Sequence, residues 1–157
     1  VLEAALAAQR GEQPEAIVAH LNEVAGQVEA SFVVDKLDYL VKGGRCSSAA
    51  ALGANLLKLK PCIEVVDGRM KVGKKYRGNY DKVLLQYVRE RLDGRDDLAL
   101  DRIFVTHTPC RPETVEAVKA EIQTYAPFSE IIETTAGCTI SSHCGPNTLG
   151  ILFLRSR

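Results

Sequence analysis

The chain has 157 residues, of which 46% are hydrophobic and 25% charged, enough for one folded domain with its own core. Its 20 basic and 20 acidic residues cancel, so the charge does not favour a nucleic-acid or anionic-membrane partner. No apolar run has the length of a transmembrane helix, and no stretch has the pattern of a signal peptide. The five cysteines are odd in number and irregularly spaced, which argues against a disulfide framework and predicts a cytoplasmic protein.

The first part of the chain predicts two helices, a strand and a short third helix. Ala and Leu favour a helix over residues 1–9, and a second helix begins near Pro14, a residue that suits a first turn. His20 lies outside the apolar stripe of that second helix, which predicts a solvated side chain. Residues 30–34 favour a strand. The helix over residues 37–41 ends at a glycine pair, which permits close approach of the backbone to a neighbour.

The middle of the chain predicts a helix of small residues followed by a β-hairpin. The helix covers residues 49–57 and is stopped by Pro61; its small side chains allow close packing or leave room for an apolar guest. The Asp-Gly pair at residues 67–68 favours a two-residue type I′ turn. That turn sets Glu64 opposite Lys71, a favourable charge pair across the strands.

The segment after the hairpin, residues 73–78, carries clustered positive charge. Lysines commonly protect an exposed edge strand, so a solvated edge or loop is one interpretation. The other is a contact with phosphate or with a partner protein, since Arg and Lys both bind anions. The sequence leaves both interpretations open.

The remaining elements alternate between helices and strands. Apolar stripes predict helices over residues 80–92 and 112–125, and residues 103–105 form a short buried strand between them. His107 follows that strand and is interpreted as a strand-end residue, although such positions often bind ligands. Residues 131–132 add one more strand. We therefore predict a single α/β domain with a mixed sheet covered by helices.

The candidate site is the segment that reads GCTISSHCGPNTLGILF, residues 137–153. We predict that His143 lies in a loop held against the core by a buried strand over residues 149–154. Loops on a rigid scaffold can present N–H groups and side chains to a ligand. The imidazole of His143 can donate a hydrogen bond to a carboxylate, and N–H groups around Gly145 could add others.

Three motifs follow one another along the chain: LDYLVKGGRCS from Leu37, LLKLKP from Leu56, and HCGPNTLGILF from His143. Together they resemble the C-terminal domain of the DegV family of bacterial fatty-acid-binding proteins. In that family the corresponding patterns read L-x-Y-L-x-K-G-G-R-I-S, N-L-L-x-I-K-P and T-H-x-G-P-G-A-L-G. This chain departs from the patterns at Cys46, Ser142, Cys144 and Asn147.

The resemblance implies a fold and a carrier function. The fold would be the EDD-like α/β fold of the DegV C-terminal domain, with residues 1–157 as one C-terminal domain of a two-domain protein. A long-chain fatty acid would lie between this domain and an absent N-terminal domain, which supplies a Ser and a Thr for the carboxylate. A separate fatty acid kinase subunit would phosphorylate the bound acid. This chain would be non-catalytic and would need no cofactor.

The resemblance also implies roles for individual residues. His143 would contact the head group, a helix over residues 49–57 would border the acyl chain, and an arginine after the glycine pair would face the domain junction. The residues implied for the ligand are His143, Ser142, Gly145, Arg45, Leu52 and Leu56. Those implied for the kinase partner are Arg77 and Lys74.

Two other hypotheses stay open. A metal or thiol site could be built from His107, Cys110, Cys138, His143 and Cys144. Their spacing matches no standard zinc pattern, and an adjacent His-Cys pair rarely binds one ion. Alternatively the chain is a purely structural or interaction domain, because the other carboxylate ligands of the family are missing from it. No G-x-x-x-x-G-K-[ST] nucleotide motif is present.

Overall fold

Residues 1–44 and 59–156 are described by the computed structural model, and they form a mixed β-sheet with helices packed against it. The helices are α1 (Leu2–Gln9), α2 (Pro14–Ala25), α3 (Asp38–Lys42), α4 (Tyr80–Leu92), α5 (Pro112–Tyr125) and α6 (Cys138–Cys144). The strands are β1 (Val28–Val34), β2 (Leu59–Val66), β3 (Arg69–Arg77), β4 (Leu98–His107), β5 (Glu130–Thr135) and β6 (Thr148–Arg155). The predicted α/β class is confirmed. Of the helices so described, none has the length and apolar character needed to cross a membrane.

Strand β6 lies in the middle of the sheet, whose order is β3-β2-β1-β6-β4-β5. It pairs antiparallel with β1 on one side and with β4 on the other, whereas β4 and β5 run parallel. Because side chains alternate along a strand, Leu149, Ile151 and Phe153 face one side of the sheet. Gly150 and Leu152 face the other. β6 therefore joins the three strands β1 to β3 to the pair formed by β4 and β5.

The main core lies between the sheet and helices α4 and α5. The apolar stripe predicted for α4 is buried, and its buried members are Val83, Leu84, Tyr87, Val88 and Leu92. Asn79 caps this helix by accepting a hydrogen bond from the N–H of Lys82. The stripe of α5 is likewise buried, at Val115, Val118 and Ile122, after Pro112 in its first turn.

The hydroxyl of the fully buried Tyr87 connects two neighbouring strands at the centre of this core. Its oxygen lies 2.7 Å from Oγ of Ser31 and donates to the carbonyl oxygen of Ser31, in β1, over 2.8 Å. The N–H of Ile151, in β6, donates to the same hydroxyl over 3.2 Å. Burial, together with the nearby Cys62, raises the pKa of Tyr87 well above its ordinary value. The hydroxyl therefore stays protonated and able to donate.

The opposite face of the sheet carries a smaller apolar cluster beneath α3 and α6, which contact each other. Its buried members are Val34, Leu37, Leu40, Ile63 and Cys144. Leu40 belongs to α3 and Cys144 to α6, so both helices anchor in one cluster. Helices α3 and α6 thus form a second layer on this face of the sheet, and α6 carries the candidate site.

The predicted hairpin is confirmed in its register. Residues 67–68 both have positive φ, 54° and 69°, as a type I′ turn requires. Glu64 lies opposite Lys71 as predicted. Its carboxylate, however, accepts a hydrogen bond from Arg91 of α4 over 3.2 Å. The interaction with the helix above the sheet thus replaces the predicted cross-strand charge pair.

Several local predictions are corrected by tertiary contacts. Pro61 lies inside β2, at an irregularity in its pairing with β3, and so does not mark the end of a helix. β4 extends well beyond the predicted residues 103–105, because pairing with β5 and β6 continues the strand, and His107 is its last residue. The predicted helix over residues 49–57 lies outside the described residues.

The burial of helix α2 also differs from what the sequence predicts. No residue of α2 is buried, and Val18 of its apolar stripe is 57% exposed, because the helix packs on α1 at the edge of the fold. The side chain of His20 is 37% exposed, and its Nε2 lies 3.9 Å from Glu3 of α1. His20 is therefore a partly covered residue between two helices, and not a fully solvated one.

Candidate ligand-binding site

The segment around His143 forms a short helix, and the prediction of a loop is wrong. The N–H of Ser141 donates to the carbonyl oxygen of Gly137, and that of Gly145 to Ser141, over 3.0 Å and 2.8 Å. Gly145 ends α6 with φ 76° and ψ 174°, a conformation that favours glycine. Ser and His are neutral to poor in helices, so the local composition indicated a turn. Packing against α3 overrides that weak preference.

His143 lies in the last turn of α6, half-buried against the end of α3. A β-carbon built on Gly43, the residue that caps α3, would lie 2.4 Å from Nδ1 of His143. The ring therefore rests directly on the backbone of Gly43. The glycine pair was predicted to permit close approach of the backbone, and His143 is the neighbour that makes this approach.

The other residues predicted for the head group already have partners within the helix. The Ser142 hydroxyl donates to the carbonyl oxygen of Cys138 over 2.6 Å, and the N–H of Gly145 is used at the helix end. Gly145 therefore does not direct its N–H outward, contrary to the expectation for this segment. Contact of either residue with a ligand stays a prediction. Arg45, Leu52 and Leu56 lie outside the described residues.

An apolar pocket lies beside α6, on the sheet face opposite α4 and α5. Its floor includes Phe32 of β1 and Leu152 of β6, and Ile140 and Cys144 of α6 form one wall. The cavity is open to the surface and has a volume of about 80 Å³, below the roughly 300–1,000 Å³ typical of ligand pockets. Residues from distant strands form this pocket, so local sequence patterns did not indicate it. The period-2 alternation of β1 and β6 is the signal that could have indicated a second apolar face.

His107 also lines this pocket, at the end of β4. Its Nδ1 lies 2.7 Å from the carbonyl oxygen of Thr108, and its Nε2 lies 3.1 Å from a carboxylate oxygen of Glu133. Both ring nitrogens therefore face oxygen atoms. Lys119 lies 2.5 Å from the other Glu133 oxygen. Hydrogen bonds from Lys119, and then from His107, hold the pKa of Glu133 below its ordinary value.

We expect Glu133→Gln to lower the free energy of unfolding at pH 7 by less than about 1 kcal/mol, because the side chain is 42% exposed. The folded-state pKa of Glu133 is depressed, so its stabilising effect is present above the unfolded-state value and is lost as the pH falls through the folded-state value. The difference should therefore shrink below about pH 4.3. Urea unfolding across this pH range measures it, with Glu130→Gln as control. A difference independent of pH would contradict the prediction.

The metal and thiol hypotheses are not supported by the geometry. Across residues 1–44 and 59–156, no three His, Cys, Asp or Glu side chains are grouped so that they could hold a metal ion. Burial raises the pKa of Cys144, and burial together with the Asp81 carboxylate raises the pKa of Cys110 to about 11. Both are therefore poor nucleophiles at neutral pH.

The two cations predicted for a partner lie on the edge strand β3. The ammonium of Lys74 donates to Glu90 of α4 over 2.6 Å, and the hydroxyl of Tyr76 donates to the same carboxylate over 2.8 Å. Arg77 is exposed and forms no ion pair with another residue of the described chain. Of the two exposed charges, only Lys74 is thus engaged in an ion pair with a described residue.

Comparison with known proteins identifies the family. A family model described as "Uncharacterised protein, DegV family" matches residues 1–156. The chain is 30% identical, over 98% of its length, to a DegV domain-containing protein of Caldanaerobacter subterraneus, of which it covers 54%. It is 34% identical, over 78% of its length, to a fatty acid-binding protein of Thermotoga maritima, of which it covers 42%. It therefore spans about half the length of these relatives.

A solved structure agrees with this assignment. This structure describes fatty acid binding by a DegV family protein from Thermus thermophilus. It superimposes on the present fold with a TM-score of 0.78, and the two sequences are 28% identical. The similarity covers 98% of this chain and 55% of that one. Because the family model spans almost every residue and the fold agrees, the chain belongs to the DegV family.

Proposed function

We propose that this chain is a non-catalytic domain that binds a long-chain fatty acid. The observation that carries the proposal is that one short helix, α6, both borders an apolar pocket and bears His143. Ile140 and Cys144 lie one helical turn apart and line the pocket. His143 lies on an adjoining side of the same helix, against Gly43. A molecule with an apolar tail and an acidic head suits this combination.

The chemistry of His143 suits the head group of such a ligand. An imidazole N–H donates a hydrogen bond to a carboxylate, and the bond is stronger when the ring is protonated. Two relatives support the choice of ligand: the Thermotoga maritima protein is named fatty acid-binding, and the Thermus thermophilus structure concerns fatty acid binding. We therefore propose that His143 binds the carboxylate while the pocket takes part of the alkyl chain.

The small pocket volume indicates that a long acyl chain needs further walls. We propose that Leu52 and Leu56 supply part of them, as the family resemblance implies, and that Arg45 faces the domain junction. We also propose that a preceding domain of the natural protein closes the site and adds a Ser and a Thr at the carboxylate. The chain spans only about half the length of its relatives, which supports a second domain.

The same proposal includes a protein partner. A fatty acid kinase subunit would dock near β3 and phosphorylate the carboxylate of the bound acid. Arg77 is the better candidate for this contact because Lys74 is already bonded to Glu90. Such a partner requires the carboxylate end of the ligand, at His143, to stay reachable from outside.

Replacing His143 by Ala tests this function in the natural full-length protein. We expect the affinity for added fatty acid to fall by about ten- to a hundredfold, because a hydrogen bond to a charged group contributes roughly 1.5–3 kcal/mol. The protein is first stripped of lipid, and binding is measured by displacement of a fluorescent fatty acid. Mass spectrometry of the organic extract identifies any acid that co-purifies.

His20→Ala is the matched control, since His20 lies between α1 and α2 and does not line the pocket. It should leave the affinity unchanged. If the wild-type protein does not bind added fatty acid, that result would contradict the carrier function and favour a purely structural or interaction domain. Equal affinity for the wild type and His143→Ala would remove His143 from the site.

A further inference from the structure

The ends of α3 and α6 interlock through two reciprocal contacts between a ring and a glycine. The imidazole of His143, from α6, lies on Gly43 at the end of α3. The phenol ring of Tyr39, from α3, lies on Gly145 at the end of α6, where a built β-carbon would lie 2.4 Å from Cδ2 of the ring. Each helix thus provides one ring and one glycine, and any larger residue at either glycine occupies the space of the opposite ring.

We propose that Gly43 and Tyr39 are positioning residues, which hold the His143 ring with Nε2 towards the ligand carboxylate. This proposal rests on the proposed role of His143. The ring atoms nearest to the built β-carbon of Gly43 are Nδ1 and Cε1, at 2.4 Å and 3.3 Å. The Nδ1 edge therefore contacts α3. Nε2 is the nitrogen away from this contact and the one assigned to the ligand.

The helix that bears His143 depends on such contacts for its orientation. α6 has 7 residues, fewer than an isolated helix needs to be stable in water. Leu40 and Cys144 fix the two helices to a shared apolar cluster. The backbone of Gly43 and the ring of Tyr39 supply the closer constraint. Their effect on binding should therefore pass through His143.

Gly43→Ala tests the first contact, with Gly26→Ala as a matched control. Both glycines cap a helix with nearly the same backbone, φ −75° and ψ −9° at Gly43 and φ −74° and ψ −11° at Gly26. A β-carbon at Gly26 meets nothing within 4 Å. We expect Gly43→Ala to weaken fatty acid binding about tenfold and Gly26→Ala to leave it unchanged.

A double-mutant cycle separates positioning from general damage to the fold. In the His143→Ala background the ring is gone, so Gly43→Ala should cost no further affinity. Tyr39→Ala should weaken binding, whereas Tyr39→Phe keeps the ring on Gly145 and should restore it. An equal loss from Gly43→Ala in both backgrounds would overturn the proposal, and so would full affinity in Tyr39→Ala.

The imidazole resonances of His143, followed by NMR in the full-length protein without ligand, provide a readout independent of binding. Gly43→Ala and Tyr39→Ala should shift them, and Gly26→Ala and Tyr39→Phe should not. If His143→Ala leaves the affinity unchanged, the proposed role of His143 in binding fails, yet shifted resonances still support the interlock. Unshifted resonances in Gly43→Ala overturn the positioning role whatever the affinity shows.

Discussion

Replacing Tyr87 by Ala is expected to lower the free energy of unfolding by about 3–5 kcal/mol, the range for removing a large aromatic ring from a core. The ring is fully buried beneath α4, so little can relax into the space it leaves. The substitution also removes the hydroxyl shared by Ser31 of β1 and Ile151 of β6. Urea unfolding followed by circular dichroism measures the change.

Tyr87→Phe separates the two contributions, because it keeps the ring and removes only the hydroxyl. It leaves the N–H of Ile151 without this acceptor inside the core, and we expect a loss of about 1–3 kcal/mol. Tyr39→Phe, at an exposed tyrosine, is the control and should be nearly neutral. If Tyr87→Phe were as stable as the wild type, the hydroxyl would not contribute to holding β1 and β6 together.

Gly150→Ala is expected to lower the free energy of unfolding by about 3 kcal/mol, at the upper part of the usual range for overpacking a core. A β-carbon there would lie 2.4 Å from the carbonyl oxygen of Ser31 and 2.7 Å from Cβ of Phe32. The first of these is backbone of the paired strand β1 and cannot rotate away. β1 and β6 must therefore separate locally to accept even one methyl group.

The same substitution should reduce fatty acid binding, because Gly150 and Phe32 both line the pocket beside α6. Gly26→Ala is the control, since a β-carbon at that exposed position, outside the candidate site, meets nothing within 4 Å. Unfolding midpoints in urea and fluorescent fatty acid displacement measure the two effects. An unchanged midpoint for Gly150→Ala would show that the strand spacing tolerates a side chain at this point.

Local chemistry explains which parts of the fold could be predicted. The hairpin was predicted to the residue because the Asp-Gly turn specifies both its geometry and its register. Helices α4 and α5 were predicted because their buried stripes have helical spacing. β4 was predicted too short, because Asp101 and Arg102 interrupt its apolar pattern. Arg102 is accommodated by an ion pair with Glu3 of α1, a partner far away in the sequence.

The role of His143 in ligand binding stays a prediction, and the way the segment around it is built was not predicted. Family motifs indicated His143, and the glycine pair was expected to allow a close contact. That the contact is His143 on Gly43 depends on how α3 and α6 pack, which local sequence does not encode. The pocket could not be predicted either, because its floor and wall come from β1, β6 and α6, which are brought together only by the sheet order.

The central position of β6 has a consequence for how the chain comes together during synthesis. The segment Thr148–Arg155 follows every other described strand in the chain, yet β1 and β4 pair with it and not with each other. Until it arrives, both strands present unpaired N–H and C=O groups that can pair with other chains. The nascent protein therefore has two unpaired strand edges until β6 has been synthesised. A chaperone that covered these edges during that period would protect the chain from aggregation.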